Sequence, residues 1–205
     1  MDTFDLYKDI QCRTNGEIYL GVVGPVRSGK STFIKRFMDV LVLPKMTDEH
    51  AKERTVDELP QSASGKSIMT TEPKFVPKEA AEIQLAKDVS VLVRLIDCVG
   101  YMVEGAAGHM ENGAERLVKT PWNEKEIPFT KAAEIGTKKV IHDHSTIGIV
   151  VTTDGSIGEL PRNSYRAAEK KTIQELKSIG KPFVVLVNTR KPYSAEAKNV
   201  AEEIQ

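Results

Sequence analysis

The run Gly24-Pro25-Val26-Arg27-Ser28-Gly29-Lys30-Ser31 sets two glycines, a lysine and a hydroxyl at the intervals G-x-x-x-x-G-K-[ST]. Each residue type has a physical use at its place. Gly24 and Gly29 let the backbone fold back so that amide N–H groups converge on an anion. The segment from Pro25 through Val26, Arg27 and Ser28 walls the loop, and Thr32 opens the helix behind it, whose N-terminus adds partial positive charge. Lys30 has the reach for β- and γ-phosphates, and the Ser31 hydroxyl suits Mg²⁺. Nucleoside triphosphate binding is the chemistry implied.

Such a loop needs partners at neighbouring strand ends. Asp97-Cys98-Val99-Gly100 follows an apolar run and matches D-x-x-G, which would set Asp97 near Mg²⁺ through water and the Gly100 amide near a γ-phosphate. Thr70 and Thr71 lie in a long loop before that run, where a threonine can complete the Mg²⁺ shell and be released on hydrolysis. Arg27 could spread charge developing on the phosphate or face solvent. The base pocket departs from the guanine pattern N-K-x-D: the chain reads Asn188-Thr189-Arg190-Lys191. Lysine has no acceptor lone pair and cannot replace a carboxylate that binds guanine N–H groups, so adenine is the expected base. Asn188 and Arg190 remain as candidates to line that pocket. Tyr101 stands where a glutamine would orient the attacking water.

Two other constellations carry less. His142-Asp143-His144 has metal-ligand spacing but reads as a solvated helix terminus, and Gly65-Lys66 lacks the full loop spacing.

Hydrophobic periodicity supplies the elements that must hold these residues. Residues 18–23, 146–153 and 183–187 read as buried strands, and 80–85 with 89–96 as a hairpin turning near Lys87-Asp88. Residues 32–43 read as a helix with Phe33, Phe37 and Leu41 on one stripe and Ile34 and Met38 beside it. Residues 131–144 read as a helix with Ala132, Ile135 and Lys139 at helical intervals. Residues 164–179 follow suit, with Tyr165, Ala168, Thr172, Leu176 and Ile179 on a stripe closed by Gly180. The stretches 44–72 and 98–130 read as long irregular segments. Strands alternating with amphipathic helices predict an α/β fold, a mostly parallel sheet covered on both faces, with the nucleotide beyond the C-terminal strand ends. The domain organisation expected is a lead-in over 1–17, a P-loop NTPase domain over 18–193, and the start of a following helix over 194–205. That last helix stops without a capping signal, the pattern of a chain cut from a longer protein.

Composition narrows the class. At 205 residues with 40% hydrophobic and 28% charged content, the chain fits one soluble domain. Lys plus Arg and Asp plus Glu both number 29, so no global field points to nucleic acid. Cys12 and Cys98 make no disulfide framework, no apolar run approaches a membrane span, and the acidic N-terminus lacks a secretion signal. The expected compartment is the cytosol.

With these residues assembled, the chain resembles the nucleotide-binding region of the stage IV sporulation protein A family, coat morphogenetic ATPases of endospore-forming bacteria. The resemblance rests on Gly16-Glu17-Ile18-Tyr19-Leu20-Gly21-Val22-Val23 leading into the loop, on Asp57-Glu58-Leu59-Pro60-Gln61-Ser62, and on Met69-Thr70-Thr71-Glu72-Pro73-Lys74-Phe75-Val76-Pro77. It continues through Asp97-Cys98-Val99-Gly100-Tyr101, Thr120-Pro121-Trp122, the tract 133–141 and Thr152-Thr153-Asp154-Gly155. It implies the translation-factor-like (TRAFAC) branch of phosphate-loop hydrolases with ATP as nucleotide. It further implies a mother-cell cytoplasmic protein, peripheral to the outer forespore membrane, that polymerises as a base for the coat alongside other coat morphogenetic proteins. By motif, Lys30 and Ser31 hold phosphate and Mg²⁺, Asp97 belongs to the Mg²⁺ site, and Thr70 or Thr71 is the sensor. The rival expectations are a GTPase switch and a nucleotide-binding scaffold without turnover.

Overall fold

Strand β1 (Glu17–Val23) delivers the glycine-rich loop, and the computed structural model places it at the centre of a sheet. The structure describes residues 16–46, 48–60, 71–86, 89–111 and 113–205. β2 (Lys74–Ala86) and β3 (Val89–Asp97) pair antiparallel as expected of the hairpin, whose turn at Lys87-Asp88 lies outside the described residues, with β2 reaching further towards the N-terminus than the alternation at 80–85 indicated. Two small hairpins follow, β4 (Met110–Glu111) with β5 (Ala114–Glu115) and β6 (Leu117–Thr120) with β7 (Asn123–Pro128). β8 (Ile147–Thr153) and β9 (Phe183–Asn188) complete a five-stranded sheet of order β2-β3-β1-β8-β9. β3, β1, β8 and β9 run parallel, and β2 is antiparallel on the edge. Pro77 lies in β2 where the register shifts between Val76 and Ala81. An edge strand tolerates proline because its outer N–H groups have no ladder partner to lose.

The helices are α1 (Lys30–Phe37), α2 (Glu49–Glu58), α3 (Phe129–Lys139), α4 (Arg162–Ser178) and α5 (Ala195–Ile204). They cover both faces. On one, Ile34, Met38 and Val42 meet Val22, Leu95, Ile149 and Val151. On the other, Val140, Ile141, Tyr165, Ala168 and Leu176 meet Val23, Ile96 and Val150. Fully burying one such aliphatic side chain is worth about 1.5–3 kcal/mol, so these two clusters hold the helices onto the sheet. Among the described residues no helix is long and apolar enough to cross a membrane.

Several local expectations change. The stripe that α1 buries is Ile34 and Met38, continued by Val42 through a π-turn (Met38–Val42), while Phe33 and Phe37 flank it and Leu41 is 43% exposed. In α3 the buried positions are Phe129, Ala132, Ala133, Gly136 and Thr137, so Ile135 and Lys139 sit at the margin of the stripe. In α4 the expected stripe is buried except Ile179, and Gly180 closes the helix at φ 64°, its N–H donating to the Lys177 carbonyl.

The stretch 44–72 is not all loop: α2 occupies part of it, although only Thr55 of that helix is buried. Its start is fixed by the Asp48 carboxylate, which accepts from the His50 and Ala51 N–H groups. The stretch 98–130 likewise carries β4–β7 rather than irregular chain. Strand β9 is half exposed, not buried, with Val184 at 52% and Leu186 at 36%, because it forms the second edge of the sheet. Of the expected lead-in, residues 1–15 lie outside the described residues, and Glu17 already belongs to β1. The 194–205 segment forms α5, capped by the Ser194 hydroxyl, and Glu203 ties it to Arg166 of α4.

Candidate nucleotide site

Register brings the motif loops to one edge. Val22 pairs with Asp97, Val23 with Val150, and Thr153 with Asn188, so the loops after β1, β3, β8 and β9 leave the sheet together. This is the C-terminal end of the parallel strands, where an open α/β sheet offers a crevice.

The glycine-rich loop has backbone angles that only certain residues tolerate. Gly24 has φ 129°, Gly29 has φ 96°, and Arg27 is the one non-glycine among the described residues in the left-handed region, at φ 60°. Space matters as much as angle at Gly29, where a Cβ would lie 2.2 Å from Asn188 Nδ2. That amide donates to the Ser28 carbonyl at 3.1 Å, locking the loop to the end of β9. Helix α1 then begins at Lys30, with Phe33 N–H donating to the Gly29 carbonyl at 2.9 Å. Pro25 and Val26 are buried, whereas Thr32 on the first turn is exposed.

Lys30 is 5% exposed and its Nζ donates to the Pro25 carbonyl at 2.6 Å. Burial lowers its pKa, with Cys98 and Asp97 pulling the other way. The Ser31 hydroxyl donates to Asp97 Oδ2 at 2.7 Å, and Asp97 Oδ1 is buried with no hydrogen-bond partner among the described residues. Burial raises the Asp97 pKa, opposed by the Ser31 hydroxyl and Lys30. A hydroxyl beside a carboxylate with one oxygen unspent is a donor set that suits a hard divalent cation such as Mg²⁺. No group of three or more His, Cys, Asp or Glu among the described residues could hold a metal alone, so phosphate and water would complete such a shell.

Gly100 presses against the loop. Its φ is 93°, and a Cβ there would stand 2.1 Å from the Gly24 carbonyl oxygen and 2.6 Å from Lys30 Nζ. Next to it, Tyr101 N–H donates to the Gly24 carbonyl at 3.2 Å and Val26 N–H to the Tyr101 carbonyl at 2.8 Å. The Tyr101 side chain turns away from the loop. Its hydroxyl donates to Glu175 of α4, and Lys171 Nζ lies 4.4 Å from the ring centroid. Burial, then the Glu175 contact, raises its pKa.

The remaining predicted residues are less gathered. Thr71 is buried against α3, where a Cβ on Gly136 would come 2.6 Å from its carbonyl oxygen. No hydrogen bond joins it to Ser31 or Asp97 among the described residues, and Thr70 lies outside them. Arg27 is exposed and its guanidinium donates to the Ala107 carbonyl at 3.2 Å. Arg190 is exposed, and its N–H donates to the Ser156 hydroxyl oxygen at 3.0 Å. The two histidines of 142–144 face different groups, His142 the Glu175 carboxylate and His144 the Phe75 ring.

Two groupings escaped the motif reading. Asp154 bridges Ser156 and Thr189 between the loops after β8 and β9. Arg162 grips Glu169 with two hydrogen bonds beneath Thr152. The available signal was position, Thr152-Thr153-Asp154-Gly155 falling at a predicted strand end.

Comparison with known proteins gives the family. The family model described as "Stage IV sporulation protein A, ATPase domain" matches residues 1–205. A Stage IV sporulation protein A from Clostridioides difficile (strain 630) is 58% identical over 201 residues, covering 98% of this chain and 41% of that protein. The proteins of that name from Bacillus anthracis and Bacillus subtilis (strain 168) are 52% and 53% identical, each across 100% of this chain and 42% of their own length. The chain thus spans about two fifths of the length of the curated relatives it matches. Identity at this level across the whole chain, on a sheet that gathers Lys30, Ser31, Asp97 and Gly100 at one edge, makes this chain a member of the stage IV sporulation protein A family, in its ATPase-domain portion.

Proposed function

We propose that this chain binds ATP with Mg²⁺ and hydrolyses it, as the nucleotide-handling part of a morphogenetic protein of spore formation. The observation that carries the reading is the convergence of Lys30, the Ser31–Asp97 hydrogen bond and Gly100 on one loop mouth. The fold reading that accompanies it is a phosphate-loop NTPase of the translation-factor-like branch. Triphosphate would lie along the amides of residues 24–31, with Lys30 at the β- and γ-phosphates and the Gly100 amide beside the γ-phosphate. Ser31 and Asp97 would hold Mg²⁺, directly and through water, and a divalent cation there neutralises charge on the phosphates. Phosphoryl transfer to water needs positioning and charge neutralisation more than covalent chemistry, which these residues supply.

The wider role is self-assembly on the forespore surface in the mother-cell cytoplasm, as a base for the coat, together with other coat morphogenetic proteins. Family membership and the sequence resemblance support it.

The test is phosphate release from purified chain with ATP or GTP, with and without Mg²⁺, beside Lys30→Ala. Release from ATP that requires Mg²⁺ and vanishes in Lys30→Ala is the expected result. Normal hydrolysis by Lys30→Ala would overturn the site. One observation favours a second reading, a nucleotide-binding scaffold without turnover: Tyr101 points at Glu175 and not at the loop. Tight ATP binding with no release under any condition would support that reading instead.

A further inference from the structure

The loops 154–157 and 188–191 leave the sheet side by side, since Thr153 of β8 pairs with Asn188 of β9. Asp154 joins them. Its Oδ1 accepts the Ser156 N–H at 2.9 Å and the Ser156 hydroxyl at 2.6 Å, and its Oδ2 accepts the Thr189 hydroxyl at 2.5 Å. An ionised carboxylate only accepts, so it fixes the single proton of each hydroxyl on itself. The two hydroxyl oxygens are then left to accept. Ser156 Oγ takes the Arg190 N–H at 3.0 Å and Thr189 Oγ takes the Lys191 N–H at 3.1 Å.

These loops border the phosphate loop. Asn188 donates to the Ser28 carbonyl, and the Ile157 side chain would lie 3.7 Å from a Cβ on Gly29. A nucleotide held by its phosphates on residues 24–31 would present its base here. Guanine asks for an N–H donor at O6 and a carboxylate at its N1–H and amine. Adenine asks for an acceptor at its exocyclic amine. With the Arg190 and Lys191 amides already spent on Ser156 and Thr189, the donor that guanine O6 needs is withdrawn.

We infer that Asp154 is a positioning residue of the base-binding loop, and that by committing the Arg190 and Lys191 amides to Ser156 and Thr189 it sets a preference for adenine over guanine nucleotides. This rests on the nucleotide-site reading proposed above. Asp154 itself does not touch the nucleotide.

The experiment compares ATP and GTP, each with Mg²⁺, on the wild-type chain, Asp154→Ala and Asp154→Asn, measuring equilibrium affinity, KM, kcat and thermal unfolding. Loss of charge-assisted hydrogen bonds corresponds to about a tenfold change in affinity, so Asp154→Ala, by releasing the Arg190 and Lys191 amides, should raise GTP affinity and shrink the ATP-to-GTP ratio by about tenfold, with ATP affinity within about threefold of wild type. kcat should stay within about threefold, because the phosphates remain held by the loop. Asp154→Asn keeps one oxygen for Ser156 and should recover part of the ratio. Should Asp154→Ala fail to fold, Ser156→Ala frees the Arg190 amide while leaving the Asp154–Thr189 bond, and should raise GTP affinity. Equal loss of ATP and GTP with the ratio unchanged would show a merely structural role and overturn the inference, leaving the nucleotide site intact. A wild-type chain that binds neither nucleotide would overturn both.

Discussion

Gly100→Ala measures how tightly the D-x-x-G segment is pressed onto the phosphate loop. At φ 93° the added methyl would sit 2.1 Å from the Gly24 carbonyl oxygen, 2.6 Å from Lys30 Nζ and 3.1 Å from Lys30 Cε. The lysine could swing aside, but the carbonyl belongs to backbone in a loop already committed to unusual angles. The segment must therefore withdraw by about 1 Å to reach ordinary contact. That movement stretches both the 3.2 Å bond from Tyr101 N–H to Gly24 and the 2.8 Å bond from Val26 N–H to Tyr101. Two such bonds at about 1 kcal/mol each, with about 1 kcal/mol for a left-handed alanine, predict a loss of about 3 kcal/mol. In a domain of this size that is about 6–12 °C in Tm. Urea titration and thermal unfolding followed by circular dichroism give the number directly. Nucleotide affinity provides the second readout, and it should fall more for ATP than for ADP if the Gly100 amide meets the γ-phosphate as proposed. A variant within about 0.5 kcal/mol of wild type, the scatter of an ordinary surface substitution, would refute the close packing on which this reasoning depends.

Two further substitutions probe the supports behind the site. Glu169→Ala removes the bidentate partner of Arg162, whose side chain is 12% exposed, and leaves it the Thr152 hydroxyl, the Thr153 carbonyl and Glu203 at 3.9 Å. Breaking that buried pair should cost about 3 kcal/mol in urea unfolding, the low end for a buried ion pair because those partners remain, and the paired change Arg162→Met with Glu169→Leu should recover most of it; no recovery would contradict the desolvation argument. Tyr101→Phe loses the hydroxyl bond to Glu175 and should cost about 1 kcal/mol at neutral pH. Burial raises the Tyr101 pKa, so the folded chain holds that proton more tightly than the unfolded one, where tyrosine titrates near 10. Its contribution is whole below about pH 10 and is lost as pH climbs above. Wild type should thus lose more stability than Tyr101→Phe on going from about pH 9 to pH 11, and parallel pH profiles for the two would refute the assignment.

What could be read from the chain itself follows a physical divide. The strands β1, β3 and β8 are largely apolar runs whose C-terminal ends are buried, and Gly24, Asp97 and Asp154 mark where each run stops, so the functional edge could be located without coordinates. α2 could not, because its sequence Glu-His-Ala-Lys-Glu-Arg-Thr-Val-Asp-Glu offers no apolar stripe and its helix is set by the Asp48 cap. The exposed faces of Val184 and Leu186 were hidden for the opposite reason: β9 is as apolar as a central strand, and only the sheet order reveals it as an edge. Side-chain direction was the other blind spot. Tyr101 follows Gly100 like any residue placed to meet the attacking water, yet its hydroxyl belongs to Glu175, a partner that only the packing of α4 supplies. The Asp154 cluster was invisible likewise, since Asp, Ser and Thr in turns look alike until register sets Thr153 beside Asn188.

The electrostatics of the loop mouth tie these supports to function. Burial pushes Lys30 and Asp97 each towards its neutral form, and each is held charged partly by the other. Among the described residues Lys30 Nζ donates to the Pro25 carbonyl alone and Asp97 Oδ1 has no hydrogen-bond partner, so the two charges sit less well satisfied than they would in water. A core optimised for stability alone would not keep such a pair. A polyanion along residues 24–31 would add to the counter-charge that Lys30 has from Asp97, and a divalent cation beside Ser31 would do the same for Asp97. On the proposed reading, a magnesium–nucleotide complex would supply the interactions these two groups lack, and the low-dielectric surroundings would strengthen those contacts once formed. Rigid supports are required for this to work, because a loop free to relax would let water satisfy both groups first. The Asn188–Ser28 bond, the Gly100 contact and the Val26–Tyr101 bond restrain it from three sides, so that the groups at the loop mouth are held in place for the ligand proposed.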